Sequence, residues 1–258
     1  MIAESIRPNL AHNAANVRIW NLMKHKTGIE TTHPPGYIGE PLNLLVGCEG
    51  HSCQDYCWAW QRVVPRMAAN PKITCLKCKT YQPHTHFERA LKIPKNGQPR
   101  CYFQDMAEPS DFSDKDIATL QRIIRENPRH IFQILTHFPA SFYARFPVWP
   151  DNTWAMGSFT SGQIYFPRNM QAGVVAAYCE PIRGHIWFDW NHRSRKPDWL
   201  VIGAQTGKHA VEPDFIFITT LLADCSCLDI PIFMKPHPIW KKLGLDWWIN
   251  EWPKGYER

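Results

Sequence analysis

The sequence predicts an α/β domain built on a parallel sheet. From about residue 101 to residue 235, short apolar runs alternate with segments that carry helix signals. Strands that alternate with helices favour a parallel sheet, either a barrel or a doubly wound layer. The length of 258 residues is in the range of a single α/β barrel. A hydrophobic content of 44% with 12 tryptophans indicates a globular chain that can bury a large core.

The beginning of the chain indicates neither export nor a membrane anchor. Residues 1–40 are predicted to form an irregular lead-in, and residues 1–13 lack an apolar signal core. No apolar run approaches the roughly 20 residues that cross a bilayer. We therefore expect a cytoplasmic protein without a membrane partner. In that compartment, nine cysteines favour metal binding or redox chemistry over disulfides.

The formal net charge of +6 has two interpretations. It is compatible with a nucleic acid or another anionic substrate. It is also compatible with simple solubility of the folded chain, and on charge alone we give this second interpretation the greater weight.

A loop with three cysteines follows the first predicted strand, about Leu42–Val46. Within ten residues the loop contains Cys48, Cys53 and Cys57. Three thiolates on one loop can hold a metal or a cluster and leave one coordination position open for a substrate. The alternative is a zinc site that is completed by His51 or by a residue elsewhere. A helix is predicted after the loop, from about Gln54 to Val64, with Pro65 closing it.

Residues 66–100 interrupt the alternation and are predicted to be a small zinc-binding insert. Cys75-Leu76-Lys77-Cys78 is followed by His84 and His86. The Cys-x-x-Cys spacing places two sulfurs around one tetrahedral ion, which the two histidines could complete. The segment is polar and contains prolines, and a zinc ion could fix such a segment. The alternative is a surface loop with incidental cysteines.

The remaining strands are predicted where short apolar runs are followed by turn signals. They are Cys101–Phe103, His130–Leu135, Thr153–Met156, Val174–Tyr178, Trp199–Ile202 and Ile232–Met234. The segment from Trp240 to the end is rich in tryptophan and lysine and receives no assignment.

Three helices are predicted between these strands. Ser113 and Asp116 form a capping-box-like start, and the apolar face that follows consists of Ile117, Leu120, Ile123 and Ile124. Asn127-Pro128 ends that helix. A short helix is predicted over Ala140–Phe146. Pro213 suits the first turn of the last helix, whose predicted apolar face is Phe215, Ile218, Leu221 and Leu222.

The order of these segments resembles a known family. The matching stretches are the cysteine loop through Trp58-Ala59, Cys75-x-x-Cys78 with His84-x-His86-x-x-Arg89, Asp111-Phe112, Phe132-Gln133-Ile134-Leu135-Thr136, Pro150-Asp151-Asn152-Thr153-Trp154, Glu180-Pro181, Gly203-Ala204-Gln205-Thr206-Gly207 and Phe233-Met234-Lys235. With them the chain resembles the phage- and bacteria-associated three-cysteine-motif proteins. That family is placed near the radical S-adenosylmethionine (SAM) enzymes and is distantly similar to spore photoproduct lyase.

The resemblance implies an iron–sulfur centre. In radical-SAM enzymes three cysteines bind a [4Fe-4S] cluster, and the fourth iron chelates SAM. Cys48, Cys53 and Cys57 would be these ligands, and Tyr56 matches the aromatic residue that usually precedes the third cysteine. Reduction by an electron donor would cleave SAM to a 5′-deoxyadenosyl radical. The spacing here is Cys-x4-Cys-x3-Cys, whereas Cys-x3-Cys-x2-Cys is commonest, and His137 stands where a lysine is expected.

Four polar residues at the carboxyl ends of predicted strands become candidate SAM contacts under this resemblance. They are Asp111, Glu180, Gln205 and Lys235. The carboxyl ends of strands form the face where α/β barrels assemble their sites. The alternative is that these residues serve as helix caps and turn formers. Cys179 could face the site as a hydrogen-atom donor or could be a core thiol.

The sequence therefore predicts one α/β domain over residues 1–258, an incomplete (βα)6 barrel of the radical-SAM type with a zinc-binding insert at 66–100. The predicted function is radical-SAM chemistry, with modification or repair of nucleic acid as the favoured use. A barrel that keeps the cluster but no longer cleaves SAM is a second possibility. The alternative from another class is a non-catalytic zinc protein that binds nucleic acid or a partner protein.

Overall fold

The computed structural model describes residues 33–51, 53, 56–188, 193–205, 210–245 and 249–256. Most of the predicted lead-in, the beginning of the helix predicted from Gln54, and Thr206-Gly207 of the quoted motif lie outside these residues. None of the described helices combines the length and the apolar character that a bilayer crossing requires.

The structure has eleven strands and six α-helices in its described part. The strands are β1 (Ile38–Pro41), β2 (Leu45–Val46), β3 (His84–Thr85), β4 (Arg100–Gln104), β5 (Ile131–Thr136), β6 (Thr153–Ser158), β7 (Gly162–Ile164), β8 (Val174–Cys179), β9 (Ile186–Phe188), β10 (Trp199–Ile202) and β11 (Ile232–Met234). The helices are α1 (Val64–Ala69), α2 (Leu76–Thr80), α3 (Asp114–Arg125), α4 (Pro139–Arg145), α5 (Phe215–Leu228) and α6 (Pro238–Lys242).

The main sheet contains seven parallel strands and curls into a half-barrel. Its order is β1-β4-β5-β6-β8-β10-β11, and every pair in it is parallel. The order follows the chain without a reversal, whereas a doubly wound sheet reverses at a switch point. The α/β class and a curled parallel sheet are therefore confirmed, and the doubly wound alternative is excluded. A small parallel pair, β7 with β9, was not predicted.

The prediction for the first strand was wrong. The edge strand of the sheet is β1, from the predicted lead-in, and it pairs with β4. The apolar run Leu42–Val46 does not join the sheet, because the amides of Leu44 and Leu45 donate to the Gln104 side-chain oxygen at 2.8 and 3.0 Å. Its last two residues form β2, which pairs antiparallel with β3 in the insert. Burial of the run therefore comes from contact with the end of β4 and with the insert.

Pro65 does not close the helix after the cysteine loop. A π-helical turn, Ala59–Val63, continues directly into α1, and Pro65 occupies the first turn of α1. Proline is tolerated in a first turn, where an amide hydrogen has no intrahelical partner to lose. The prediction failed because the switch from π to α geometry creates a new first turn inside a continuous helix.

Apolar side chains cover both faces of the sheet. On one face, alternate strand residues pack against the buried sides of α3 and α5; examples are Val175, Ala177, Ile117, Leu120, Ile218 and Leu221. The opposite, concave face carries an aromatic cluster with Trp154, Tyr178, Trp199 and Phe233. The C-terminal segment belongs to this cluster, since Trp252 stacks on Trp199 at 5.4 Å and Tyr256 meets Trp154 at 5.0 Å.

The last long helix differs from its prediction at its beginning. The side chain of Asp214 caps α5 by accepting from the Ile216 amide at 2.9 Å, so Pro213 precedes the cap. Phe215 is 45% exposed and does not belong to the buried face. Cys225 is buried on that face instead.

The predicted capping box at the start of α3 is confirmed. Ser113 Oγ accepts from the Asp116 amide at 3.2 Å and donates to the Asp116 carboxylate at 2.6 Å. Ser113→Ala is expected to lower the free energy of unfolding by about 1 kcal/mol, because it removes the acceptor of one end amide. Urea denaturation measures this change. Thr119→Ala on the same helix is the control, and an equal loss there would contradict the capping role, because Thr119 bonds only the Lys115 carbonyl inside the helix.

Candidate metal centre

Four side chains of the insert converge on one point. The sulfurs of Cys75 and Cys78 and one ring nitrogen each of His84 and His86 all lie within 4.8 Å of one another. Cys78 Sγ is 3.1 Å from Nε2 of both histidines. Two sulfurs and two imidazole nitrogens at such distances suit a tetrahedral zinc ion. The group predicted from spacing therefore comes together as one that could bind a metal ion such as zinc.

The hydrogen bonds of the two histidines favour a cation at this point. His84 Nδ1 is 2.7 Å from the Gln82 carbonyl oxygen, and His86 Nδ1 is 2.7 Å from a Glu88 carboxylate oxygen. Both Nδ1 atoms must donate to these oxygens, which leaves a lone pair on each Nε2. The two Nε2 atoms are 3.0 Å apart. Two facing lone pairs repel each other, and a shared cation converts them into ligands.

The pKa values of the two thiols in the insert shift in opposite directions. Cys75 is the N-cap of α2, and its sulfur accepts from the Cys78 amide at 3.4 Å. That hydrogen bond lowers the pKa of Cys75. Burial, and after it the hydrogen bond with Cys75, raises the pKa of Cys78 to about 11. Metal binding at Cys78 near neutral pH would therefore release a proton.

Each sulfur of the three-cysteine loop takes part in a hydrogen bond. Cys53 donates a thiol hydrogen bond to Cys57, whose sulfur also accepts from the amides of Trp60 and Ala59 at the start of the π-helical turn. The hydrogen bond from Cys53 is the largest cause, and with the two amide bonds it lowers the pKa of Cys57 to about 6. The hydrogen bond between the two thiols also raises the pKa of Cys53. The sulfur of Cys48 accepts from the Gly50 amide at 3.4 Å.

His51 and Asp111 lie beside Cys48. The Cys48 sulfur, a His51 ring nitrogen and an Asp111 carboxylate oxygen are within 4.8 Å of one another, so they also form a group that could hold a metal ion. His51 Nε2 is 2.9 Å from Asp111, and the Glu49 amide donates to the same carboxylate at 2.9 Å. Asp111 thus fastens the cysteine loop to the segment that follows β4, a contact the sequence did not indicate.

A buried carboxylate, Glu108, joins the loop after β4 to the end of β5. Glu108 is 3% exposed and accepts from Ser110, from the Thr136 hydroxyl and, at 2.8 Å, from the His137 amide. His137 follows β5, and burial lowers its pKa although the Glu108 charge opposes this shift. The residue after His137, Phe138, meets the His51 ring of the cysteine loop edge-to-face, with 4.7 Å between the ring centres.

The cysteine loop lies at the carboxyl edge of the sheet. The Gly47 amide donates to the Met106 carbonyl, after β4, at 2.8 Å. At the other side the Arg183 guanidinium, after β8, lies 4.5 Å from the centre of the Tyr56 ring. The loop is thus held by segments that follow two separate strands of the sheet, on the face where α/β barrels assemble their sites.

Two of the four candidate SAM contacts meet at this edge. Lys235 Nζ is 2.5 Å from Glu180 and 4.8 Å from the centre of the Tyr178 ring. A Cβ at Gly203 would lie 2.4 Å from Glu180 Cδ, so a side chain at this position would displace the carboxylate. Asp111 belongs to the His51 group described above. Gln205 instead accepts from the Val211 amide at 3.3 Å.

Cys179 lies on the other side of the sheet from Tyr178. It is fully buried among the residues that pack against the outer helices, and burial raises its pKa. This position fits a core thiol, which was the alternative interpretation.

Sequence reasoning missed Asp105, Glu108 and Tyr81. Asp105 directly follows β4; burial raises its pKa, and its Oδ1 is buried without a hydrogen-bond partner among the described residues. Both acids carry the signal that identified Asp111, a polar side chain just after a strand. Tyr81 is 3% exposed, and this burial is the main reason that its pKa is raised. The nearby thiols of Cys57 and Cys48 raise the pKa of Tyr81 further. No local pattern indicates that role.

Comparison with family profiles gives one match, to the family described as "Protein of unknown function (DUF5131)", over residues 35–248. The chain belongs to this family. The matched range covers both cysteine groups and the whole main sheet. Neither the curated proteins nor the solved structures contain a significant match.

Proposed function

We propose that this member of the DUF5131 family is an iron–sulfur enzyme of the radical-SAM type. Its cluster would be held by Cys48, Cys53 and Cys57, and a structural zinc by Cys75, Cys78, His84 and His86. One observation carries the proposal: a loop with three thiols lies at the carboxyl edge of a curled parallel sheet, where such folds assemble their sites.

The donor set around the three thiols suits a cluster. The sulfurs of Cys57 and Cys48 each accept hydrogen bonds from two backbone amides, and such bonds are among the contacts that tune iron–sulfur centres.

Charged residues at the same edge suit a zwitterionic substrate such as SAM. The Glu180 carboxylate and the Lys235 ammonium form a partly buried pair, with side-chain exposures of 27% and 14%. A carboxylate can accept from an amino group and an ammonium can donate to a carboxylate, so the pair can exchange its internal contact for both ends of an amino acid. The bound cluster would supply the electron that cleaves SAM, and the residues of this chain would orient the substrate.

Metal analysis tests the proposal. Iron, sulfide and zinc are measured on anaerobically purified protein, on a Cys48/Cys53/Cys57→Ala triple variant, and on Cys227→Ser, an exposed control. We expect about four irons in the parent and the control, none in the triple variant, and one zinc in all three. Protein with iron is then assayed for SAM cleavage with and without DNA or RNA, a substrate class with which the positive charge is compatible.

One competing function has specific support, because Cys48, His51 and Asp111 could bind a single ion. Zinc at both sites with no iron after reconstitution would overturn the iron–sulfur proposal. It would favour a non-catalytic zinc protein that binds nucleic acid or a partner protein.

A further inference from the structure

The insert and the three-cysteine loop are one structural unit. Leu45 and Val46, which lead into the loop, pair with Thr85 and His84 of the insert. Just beyond, the Cys48 amide donates to the Tyr81 carbonyl at 3.0 Å. The first loop cysteine is therefore tied directly to the backbone between the Cys-x-x-Cys turn and the histidines.

Gly47 brings the two backbones into contact. A Cβ at this position would lie 2.2 Å from the Gln82 carbonyl oxygen, much closer than any real contact. The carbonyl of Gln82 also accepts from His84 Nδ1. The peptide that orients one metal-binding histidine is therefore the one against which the cysteine loop packs.

The two cysteine groups share a small core of their own. It is separate from the clusters on either face of the sheet, and its buried members are Val46, Ala59, Cys78, Tyr81 and Met106. Cys48, Cys57 and Cys75 pack against it as partly buried residues. One apolar cluster thus contains ligands of both proposed centres, and its formation requires the insert to be folded.

Tyr81 connects the two groups. It ends α2 in a left-handed conformation, with φ of 55°, and its ring meets Trp60 edge-to-face at 5.4 Å. Trp60 lies in the π-helical turn whose amides bond the Cys57 sulfur. Tyr81 therefore contacts the loop at both ends, through its carbonyl at Cys48 and through its ring beside Cys57.

We infer that the Cys75–Cys78–His84–His86 group is a positioning element for the three-cysteine loop, with Tyr81 as the connecting residue. Zinc must bind there before the loop takes the shape in which it can bind its own metal. Coupling between two binding sites is reciprocal, so an occupied loop would also strengthen zinc binding. The insert is nevertheless expected to keep its zinc when the loop is empty, because all four of its ligands lie within residues 75–86. The inference rests on the proposed zinc site and is independent of which metal the loop binds.

Alkylation of individual cysteines in iron-free protein tests the inference. Protein with zinc and protein treated with a chelator are exposed to iodoacetamide, and each cysteine is followed by peptide mass spectrometry. Removal of zinc is expected to raise the rates at Cys48 and Cys53 about tenfold or more, as local opening does. Cys101, Cys179 and Cys225, buried in the main core, should stay protected, whereas Cys227 is exposed and should react throughout.

Tyr81→Gly removes the ring that connects the insert to the cysteine loop and leaves the four zinc ligands in place. Glycine tolerates the left-handed conformation, and all four ligands remain. We expect one zinc per chain together with faster alkylation of Cys48 and Cys53. Leu76→Ala on the same short helix is the control, because Leu76 is 73% exposed, and it should change neither quantity.

Two results would overturn the inference: unchanged alkylation of Cys48 and Cys53 after loss of zinc, or loss of zinc from the Cys48/Cys53/Cys57→Ala variant. If chelation also exposes Cys101, the whole chain has opened, and Tyr81→Gly with zinc bound decides the matter. No iron is used, so the test does not depend on the iron–sulfur proposal. If the loop itself holds zinc, chelation exposes Cys48 directly, and Tyr81→Gly with zinc still bound is then the deciding variant. A protein that binds iron, and in which loss of zinc leaves the alkylation of Cys48 and Cys53 unchanged, would refute this inference but not the iron–sulfur proposal.

Discussion

Cys78→Ser is expected to abolish zinc binding and to leave residues 66–100 without stable structure. Cys78 contacts both histidine nitrogens and is buried in the small core shared with the loop. Structural zinc sites contribute an apparent binding free energy of about 10–16 kcal/mol to folding, and three ligands hold the ion far less tightly than four. Zinc content and limited proteolysis measure the two effects, and we expect cleavage to begin within the insert.

Cys227→Ser is the matched control for this change. Cys227 is exposed on α5 and belongs to neither metal-binding group, so zinc content and the proteolytic pattern should stay as in the parent. Full zinc content in Cys78→Ser would show that the ion is held elsewhere and would remove the basis of the zinc assignment.

Gly47→Ala is expected to separate the cysteine loop from the insert and to lower the free energy of unfolding by about 2–5 kcal/mol. Two costs add: the φ of +102° is a conformation that side chains rarely adopt, and the new Cβ meets the Gln82 backbone. Urea denaturation measures the loss of stability. The alkylation rate of Cys48 measures the displacement of the loop, because the hydrogen bond from the Cys48 amide to the Tyr81 carbonyl adjoins the substitution.

Gly36→Ala measures the backbone cost alone, so its difference from Gly47→Ala gives the cost of the contact with Gln82. Gly36 has a φ of +86°, but no atom lies within 4 Å of a Cβ placed there. This variant should carry only the backbone strain, about 1–2 kcal/mol, and should leave Cys48 alkylation unchanged. Equal losses in the two variants would mean that contact between Gly47 and the insert contributes nothing.

Those features that depend on neighbours in the chain were accessible to sequence reasoning. The Cys-x-x-Cys turn and the His-x-His pair lie within residues 75–86, and they converge as expected. The capping box of Ser113 with Asp116 and the buried face of α3 followed from spacings of three and four residues. Six of the predicted strands are present, two of them with the predicted bounds and four with slightly different ends. They were predictable because short apolar runs with turn signals mark buried parallel strands.

Only the tertiary structure decided which segments meet. The sequence could not show that Leu45–Val46 leaves the sheet to pair with the insert, because apolar burial looks the same whichever partner supplies it. It could not assign Trp252 to the concave face or Tyr81 to the space between the metal-binding groups. Short-range spacing determines ligand sets and helix faces. The joining of the zinc-binding insert to the cysteine loop depends on contacts between distant residues, such as Leu45 with Thr85 and Cys48 with Tyr81. Such contacts leave no periodic pattern in a single sequence.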